Sequence, residues 1–162
     1  MKMETRAFLR DSAFLFAVAA LDQIIKAAVR RAPVGMVLFD SPLLAVCRVE
    51  NTGAAFGIFS AHPVGVTLFS ALLMIPLAWY MYPADTAEGK ECAGRLAWIL
   101  LYGGGAGNLL DRLLHGSVTD YILLRPGRFL FNLADICITA AVLLFLLQLL
   151  REGTNDGRTR TS

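Results

Sequence analysis

The chain has 162 residues, 56% of them apolar, and a mean hydropathy of +0.58. Counting glycine and leaving out tyrosine gives an apolar share of about 62%, against roughly 45–50% for a soluble domain, which points to a membrane protein. Charged residues make up 17%, the formal charge is +2, and the 15 Lys and Arg are spread along the chain, which excludes a disordered chain and a nucleic-acid-binding basic stripe.

The first apolar run, residues 13–29, is broken by Asp22, Gln23 and Lys26 and is the weakest span on hydropathy alone. Its opening resembles a signal peptide, with Lys2, Arg6 and Arg10 before the apolar stretch 13–21 and Ala17-Val18-Ala19 as a cleavage-like site. Asp11 in the charged region and the apolar pair Ile24-Ile25 favour an uncleaved helix instead. The second run, 64–82, is free of charge, matches the length of about 20 residues that a spanning helix needs, and contains Pro76 as a kink position. The third, 96–110, is short and carries Gly103, Gly104, Gly105 and Gly107; the fourth, 129–150, has Asn132 and Asp135 near its start. Four transmembrane helices are expected, making an all-α, single-domain membrane protein over 1–162 with a flexible polar tail at 151–162.

Four spans place both termini and the loop 83–95 on one side. That side carries Lys2, Arg6, Arg10, Lys90, Arg95, Arg151, Arg158 and Arg160, against Arg30, Arg31, Arg48, Arg112, Arg125 and Arg128 on the other. The excess of basic residues favours cytoplasmic termini. With that orientation Asp22, Lys26, Asn108, Asp111, Arg112, Asn132 and Asp135 all gather towards the outer face.

An ionisable side chain in a spanning helix costs about 2.5–3.5 kcal/mol even on lenient scales, so each needs a partner or a task. Asp22 and Lys26 are four apart on one helical face, where both an ion pair and a supporting role remain open. Asp111-Arg112, one turn after Asn108, suits a clamp between a helix end and a loop. Asp120 and Asp135 have no obvious local cation. Two carboxylates brought together in a low-dielectric site share one proton and can act as acid and base at once. Asn132, three residues before Asp135, suits either orienting that carboxylate or the substrate carbonyl, or capping a helix; Asn51-Thr52-Gly53-Ala54-Ala55-Phe56-Gly57 suits a tight turn against the membrane or a plain connector. The 103–107 glycines read as a close-packing stripe and not a phosphate loop, since no Lys-Ser or Lys-Thr follows. Cys47, Cys92 and Cys137, with His62 and His115, have no zinc-site spacing, and neither a metal nor a cofactor is expected. His115 and Cys137 read as bystanders. Two other readings stay open: a serine-lysine peptidase using Ser117 and Lys26, and a small transporter or ion-pathway subunit with charges along its path.

Taken in order, Asp22-Gln23-x-x-Lys26, Asn51-Thr52-Gly53-Ala54-Ala55-Phe56-Gly57, Gly107-Asn108-x-x-Asp111-Arg112-x-x-x-Gly116-x-Val118-x-Asp120-Tyr121 and Phe131-Asn132-x-Ala134-Asp135 resemble the motif set of the bacterial lipoprotein signal peptidases (signal peptidase II), over about residues 22–140. The resemblance implies an inner-membrane aspartyl protease that removes the signal peptide of a diacylglyceryl-modified prolipoprotein on the N-terminal side of its lipidated cysteine. Asp120 and Asp135 would be its catalytic pair. Asn51, Gly53, Asn108, Arg112, Asn132 and Ala134 would shape the site and hold substrate, with Asp22 and Lys26 in support. It further implies a small extracytoplasmic β-cradle with a short amphipathic surface helix, contact with membrane lipid, inhibition by globomycin-type cyclic peptides and a monomeric enzyme. Tyr121, where the family often has Phe, and Gly105-Ala106, where a bulkier pair is usual, are departures.

Overall fold

The computed structural model describes residues 2–53, 65, 72, 91–125, 127 and 129–159. Helix α1 is Lys2–Val29, strands β1 and β2 are Val37–Asp40 and Leu44–Asn51, helix α2 is Glu91–His115, strands β3 and β4 are Val118–Leu124 and Phe129–Phe131, and helix α3 is Leu133–Thr159. The second apolar run, with Pro76, lies outside the described residues except for Gly65 and Leu72, both helical. His62 and Ala54–Gly57 also lie outside them. So does the stretch 54–63 of the first outer loop; the part of that loop from 30 to 53 holds strands and no helix.

Among the described residues two helices are long and apolar enough to cross a membrane, over Arg6–Val29 and Leu133–Arg151. Neither is wrapped by protein: 22% of the apolar window is buried in the first and 17% in the second. Phe14, Phe16 and Ile24 on α1, and Ile136, Leu143, Leu147 and Leu150 on α3, point outward. Large apolar side chains exposed along a whole helix face fit a lipid environment. At 1.5 Å per residue α2 is about 37 Å long, enough to run the full depth between the other two.

The expected all-α class needs correction. The described chain is helical plus a four-stranded antiparallel sheet in the order β1-β2-β3-β4, with β-branched Val46, Val49, Val118, Thr119 and Ile122 in its two central strands. In the β2–β3 pair Val49 lies opposite Asp120 and Asn51 opposite Val118; in the β3–β4 pair Ile122 lies opposite Phe131. Residues 129–131, expected as the start of a spanning helix, are therefore a strand, because they complete a ladder with β3. Helix α3 begins only at Leu133 and its backbone stays helical to Thr159, so residues 151–159, expected as a flexible tail, continue the helix.

Helix α2 packs between α1 and α3 through its glycines. A Cβ on Gly103 would sit 2.7 Å from Val18 Cβ, one on Gly104 2.6 Å from the Ala134 carbonyl oxygen, and one on Gly107 2.5 Å from Asp22 Oδ2. Fully buried Ala97, Ala134 and Ala141 extend the same close approach. Gly116, at φ +73°, ends α2 in the left-handed conformation with its amide donating to the Arg112 carbonyl, and turns the chain directly into β3. At the far end from the sheet, Arg95 on α2 donates twice to the buried Asp11 on α1, at 2.9 and 2.7 Å. The carboxylate that sits awkwardly in a signal sequence is here an interhelical tie.

Candidate active site

Asp22, Lys26 and Arg30 follow one another at four-residue spacing on α1 and so share a face. Lys26 is completely buried and has three ammonium protons to place. They meet three acceptors: Asp22 Oδ2 at 2.8 Å, Asn108 Oδ1 at 2.8 Å and Asp111 Oδ2 at 3.1 Å. Asp111 also accepts from the Thr119 amide at 3.0 Å, from Gln23 at 3.0 Å and from Arg30 Nη2. Arg30 in turn donates through Nε to Thr119 Oγ1 at 2.9 Å. Two cations and two carboxylates thus lock α1, α2 and the start of β3 into one neutral cluster. Asp22 and Lys26 do form an ion pair, and Asp111 does clamp a helix end to the strand that follows.

The N-terminus of α3 is the next layer. A helix leaves its first amides without internal partners. Here each is met from a different direction: Leu133 N donates to Tyr121 Oη on β3 at 3.1 Å, Ala134 N to Asp22 Oδ1 on α1 at 3.0 Å, and Asp135 N to Asn132 Oδ1 at 3.0 Å. Asp135 Oδ2 accepts the Asn132 amide in return, at 3.1 Å, completing a reciprocal capping arrangement. The capping reading of Asn132 matches the contacts, its side-chain oxygen taking the Asp135 amide, while its Nδ2 turns to a different carboxylate from the one expected, Asp120 Oδ1 at 2.7 Å, and to Asn108 Oδ1 at 3.2 Å.

Asp120 and Asp135 emerge from this frame as neighbours joined by amides. Asp120, almost fully buried on β3, accepts from Asn132 on one oxygen and from Asn51 Nδ2, at 2.9 Å, on the other. Asp135, in the first turn of α3, accepts from Asn108 Nδ2 at 2.8 Å and from the Asn132 backbone. Among the described residues neither carboxylate makes a salt bridge, although Arg112 lies within electrostatic range of both and donates to the Gly53 carbonyl at 3.2 Å. Burial pushes the Asp120 carboxyl up to about 6; the charge of Asp135 adds to the rise, and the amide hydrogen bonds of Asn51 and Asn132 work against it. Asn51 also closes a turn, its Oδ1 accepting from the Gly53 amide at 3.0 Å. Such a pair, with one carboxyl able to hold a proton near neutral pH, suits acid–base work on a substrate presented at the sheet end of the helices.

The sequence-nominated residues Asp22, Lys26, Asn51, Gly53, Asn108, Arg112, Asp120, Asn132, Ala134 and Asp135 are all brought to this one region. Ser117 is not brought to Lys26: its hydroxyl donates to Glu50 Oε2 at 2.8 Å, while the lysine is used up on Asp22, Asn108 and Asp111. Sequence reasoning gave no site role to Arg30, Thr119 or Glu50, and quoted Gln23 only as a motif position. The four-residue spacing from Lys26 was a signal for Arg30; nothing local marked Glu50, which accepts from Arg48 as well as from Ser117 and so ties β2 to the start of β3. Cys137 is buried beside Gly104, and His115 is exposed. Among the described residues no three His, Cys, Asp or Glu side chains group as a metal site would require.

The chain is similar to known proteins over most of its length. The family model described as signal peptidase (SPase) II matches residues 14–151. A lipoprotein signal peptidase of Mesorhizobium japonicum is 37% identical over 135 residues, covering 80% of this chain and 79% of its own. One from Thermodesulfovibrio yellowstonii is 32% identical over 148 residues, covering 88% and 96%. A solved bacterial membrane enzyme superposes with a TM-score of 0.78 at 26% identity, covering 90% of each chain.

Proposed function

The chain belongs to the signal peptidase II family and is a membrane peptidase of lipoprotein processing, and on that premise we propose that Asp120 and Asp135 are its catalytic pair. The enzyme cuts a diacylglyceryl-modified prolipoprotein on the N-terminal side of the lipidated cysteine. One aspartate takes a proton from the attacking water and the other donates to the carbonyl oxygen or the leaving nitrogen. The observation that carries this reading is that one residue, Asn132, donates to both carboxylates, to Asp120 through its side-chain amide and to Asp135 through its backbone N–H, in a place where neither is neutralised by a salt bridge among the described residues. A lipidated cysteine is held in the bilayer by its acyl chains, so its scissile bond is presented near the membrane surface, and the pair lies at the helix ends beside the sheet.

The remaining site residues divide by what they touch. Asn51, Asn108 and Asn132 orient the two carboxylates, Arg112 and Gly53 border them, and Asp22, Lys26 and the Ala134 amide hold α3 in place. In this reading four spans cross the bacterial inner membrane with cytoplasmic termini, the site faces outward, the enzyme acts as a monomer without cofactor, and globomycin-type cyclic peptides occupy the site. A transporter reading is not favoured by the family.

The test is Asp120→Asn and Asp135→Asn, each purified and checked for its wild-type unfolding transition. Cleavage of a lipidated precursor should fall by about 10²–10⁴-fold, with the precursor accumulating in membranes. Normal processing by either folded variant sinks the assignment.

A further inference from the structure

Tyr121 directly follows Asp120 on β3, is 6% exposed, and spends its hydroxyl on the amide of Leu133, the first residue of α3, two positions before Asp135. The same β3 residue run thus supplies one carboxylate and grips the helix that supplies the other. The other amides of that first turn are held from α1 by Asp22 and from within by Asn132; among the described residues it is the Tyr121 hydroxyl that links the helix end to the strand of Asp120 without engaging either carboxylate. Resting on the dyad assignment above, we propose that Tyr121 is a positioning residue whose Oη sets the separation of the Asp120 and Asp135 carboxyls.

Tyr121→Phe deletes one oxygen and keeps the ring, so the packing stays filled while the Leu133 amide loses its acceptor. Misplacement of a reacting group by a fraction of an ångström is costly to the chemical step, whereas substrate binding spread over a lipid and a peptide is not. Loosening the pair also weakens the repulsion that Asp135 exerts on Asp120.

The experiment uses the full chain in lipid–detergent micelles with a lipidated precursor peptide. Tyr121→Phe should lower kcat on the order of 10-fold, with KM unchanged within about twofold, and move the ionisation of Asp120 seen in the pH profile of kcat/KM downward. Leu133→Pro supplies the complement, since proline is well accepted at the first helical position and has no amide for the tyrosine to hold. In that background Tyr121→Phe should have no further effect. An unchanged kcat and pH profile in Tyr121→Phe, a lowered unfolding temperature as its sole effect, or an equal loss in the Leu133→Pro background each overturns the proposal. Asp120→Asn and Asp135→Asn run alongside separate its failure from that of the dyad: their activity would remove both, while their inactivity with an unaffected Tyr121→Phe would remove this inference alone.

Discussion

Two aspartate pairs lie side by side in this protein and are treated in opposite ways. Asp22 and Asp111 share the ammonium of Lys26, and Asp111 has Arg30 as well, so every charge is matched inside a dry cluster. Asp120 and Asp135 are given neutral amide donors from Asn51, Asn108 and Asn132 and no salt bridge among the described residues. Burial pushes the amide-held Asp120 carboxyl up to about 6, within reach of neutral pH. The first pair fastens helices, and in the proposed mechanism the second serves proton transfer. Asn108 joins the two, accepting from Lys26 and donating to Asp135.

Removing the shared cation breaks the contrast most severely. Lys26→Met leaves two buried carboxylates with Arg30 as their remaining cation, and should cost about 3–5 kcal/mol, read as a lowered midpoint in thermal unfolding of the detergent-solubilised protein. Wild-type stability would mean that the cluster is not held by its charges.

A gentler change sharpens the difference at the second pair. The Asn51 hydrogen bond stabilises the ionised form of Asp120, so Asn51→Ala should move the ionisation near pH 6 upward, by roughly one on the pH scale, in the pH dependence of kcat/KM. The sign is the informative part. A downward move would place Asn51 on the protonated form instead.

The smallest effect belongs to Ser117→Ala, which removes one hydroxyl from Glu50 and should cost no more than about 1 kcal/mol while leaving cleavage intact. Loss of activity in that variant would revive a serine-based mechanism.

Much of this site was legible in the chain because apolar helices make polar residues conspicuous. Asp22, Lys26, Asn108, Asp111 and Asp135 stand out in runs where each is expensive, and the glycines from 103 to 107 announce a close helix contact. Residues whose value comes from a distant partner stayed hidden. Glu50 looks like any strand glutamate until Ser117 and Arg48 are placed against it, and Tyr121 looks like core until its hydroxyl is seen on Leu133. Phe129-Leu130-Phe131 is apolar enough for a helix start, and only pairing with Ile122, Leu123 and Leu124 makes it a strand.

By itself the sequence determined the membrane environment, the motif order of the signal peptidase II family and the short roster of charges that must have partners, since these follow from composition and spacing along the chain. Tertiary structure decided which charge met which. Lys26 is a filled tie and not a base because three acceptors from α1 and α2 close on its three protons, and Asp120 and Asp135 become a pair only because β3 and the first turn of α3 are brought to opposite sides of Asn132. Electrostatic roles depend on distances across the fold, and those distances have no representation in the order of residues.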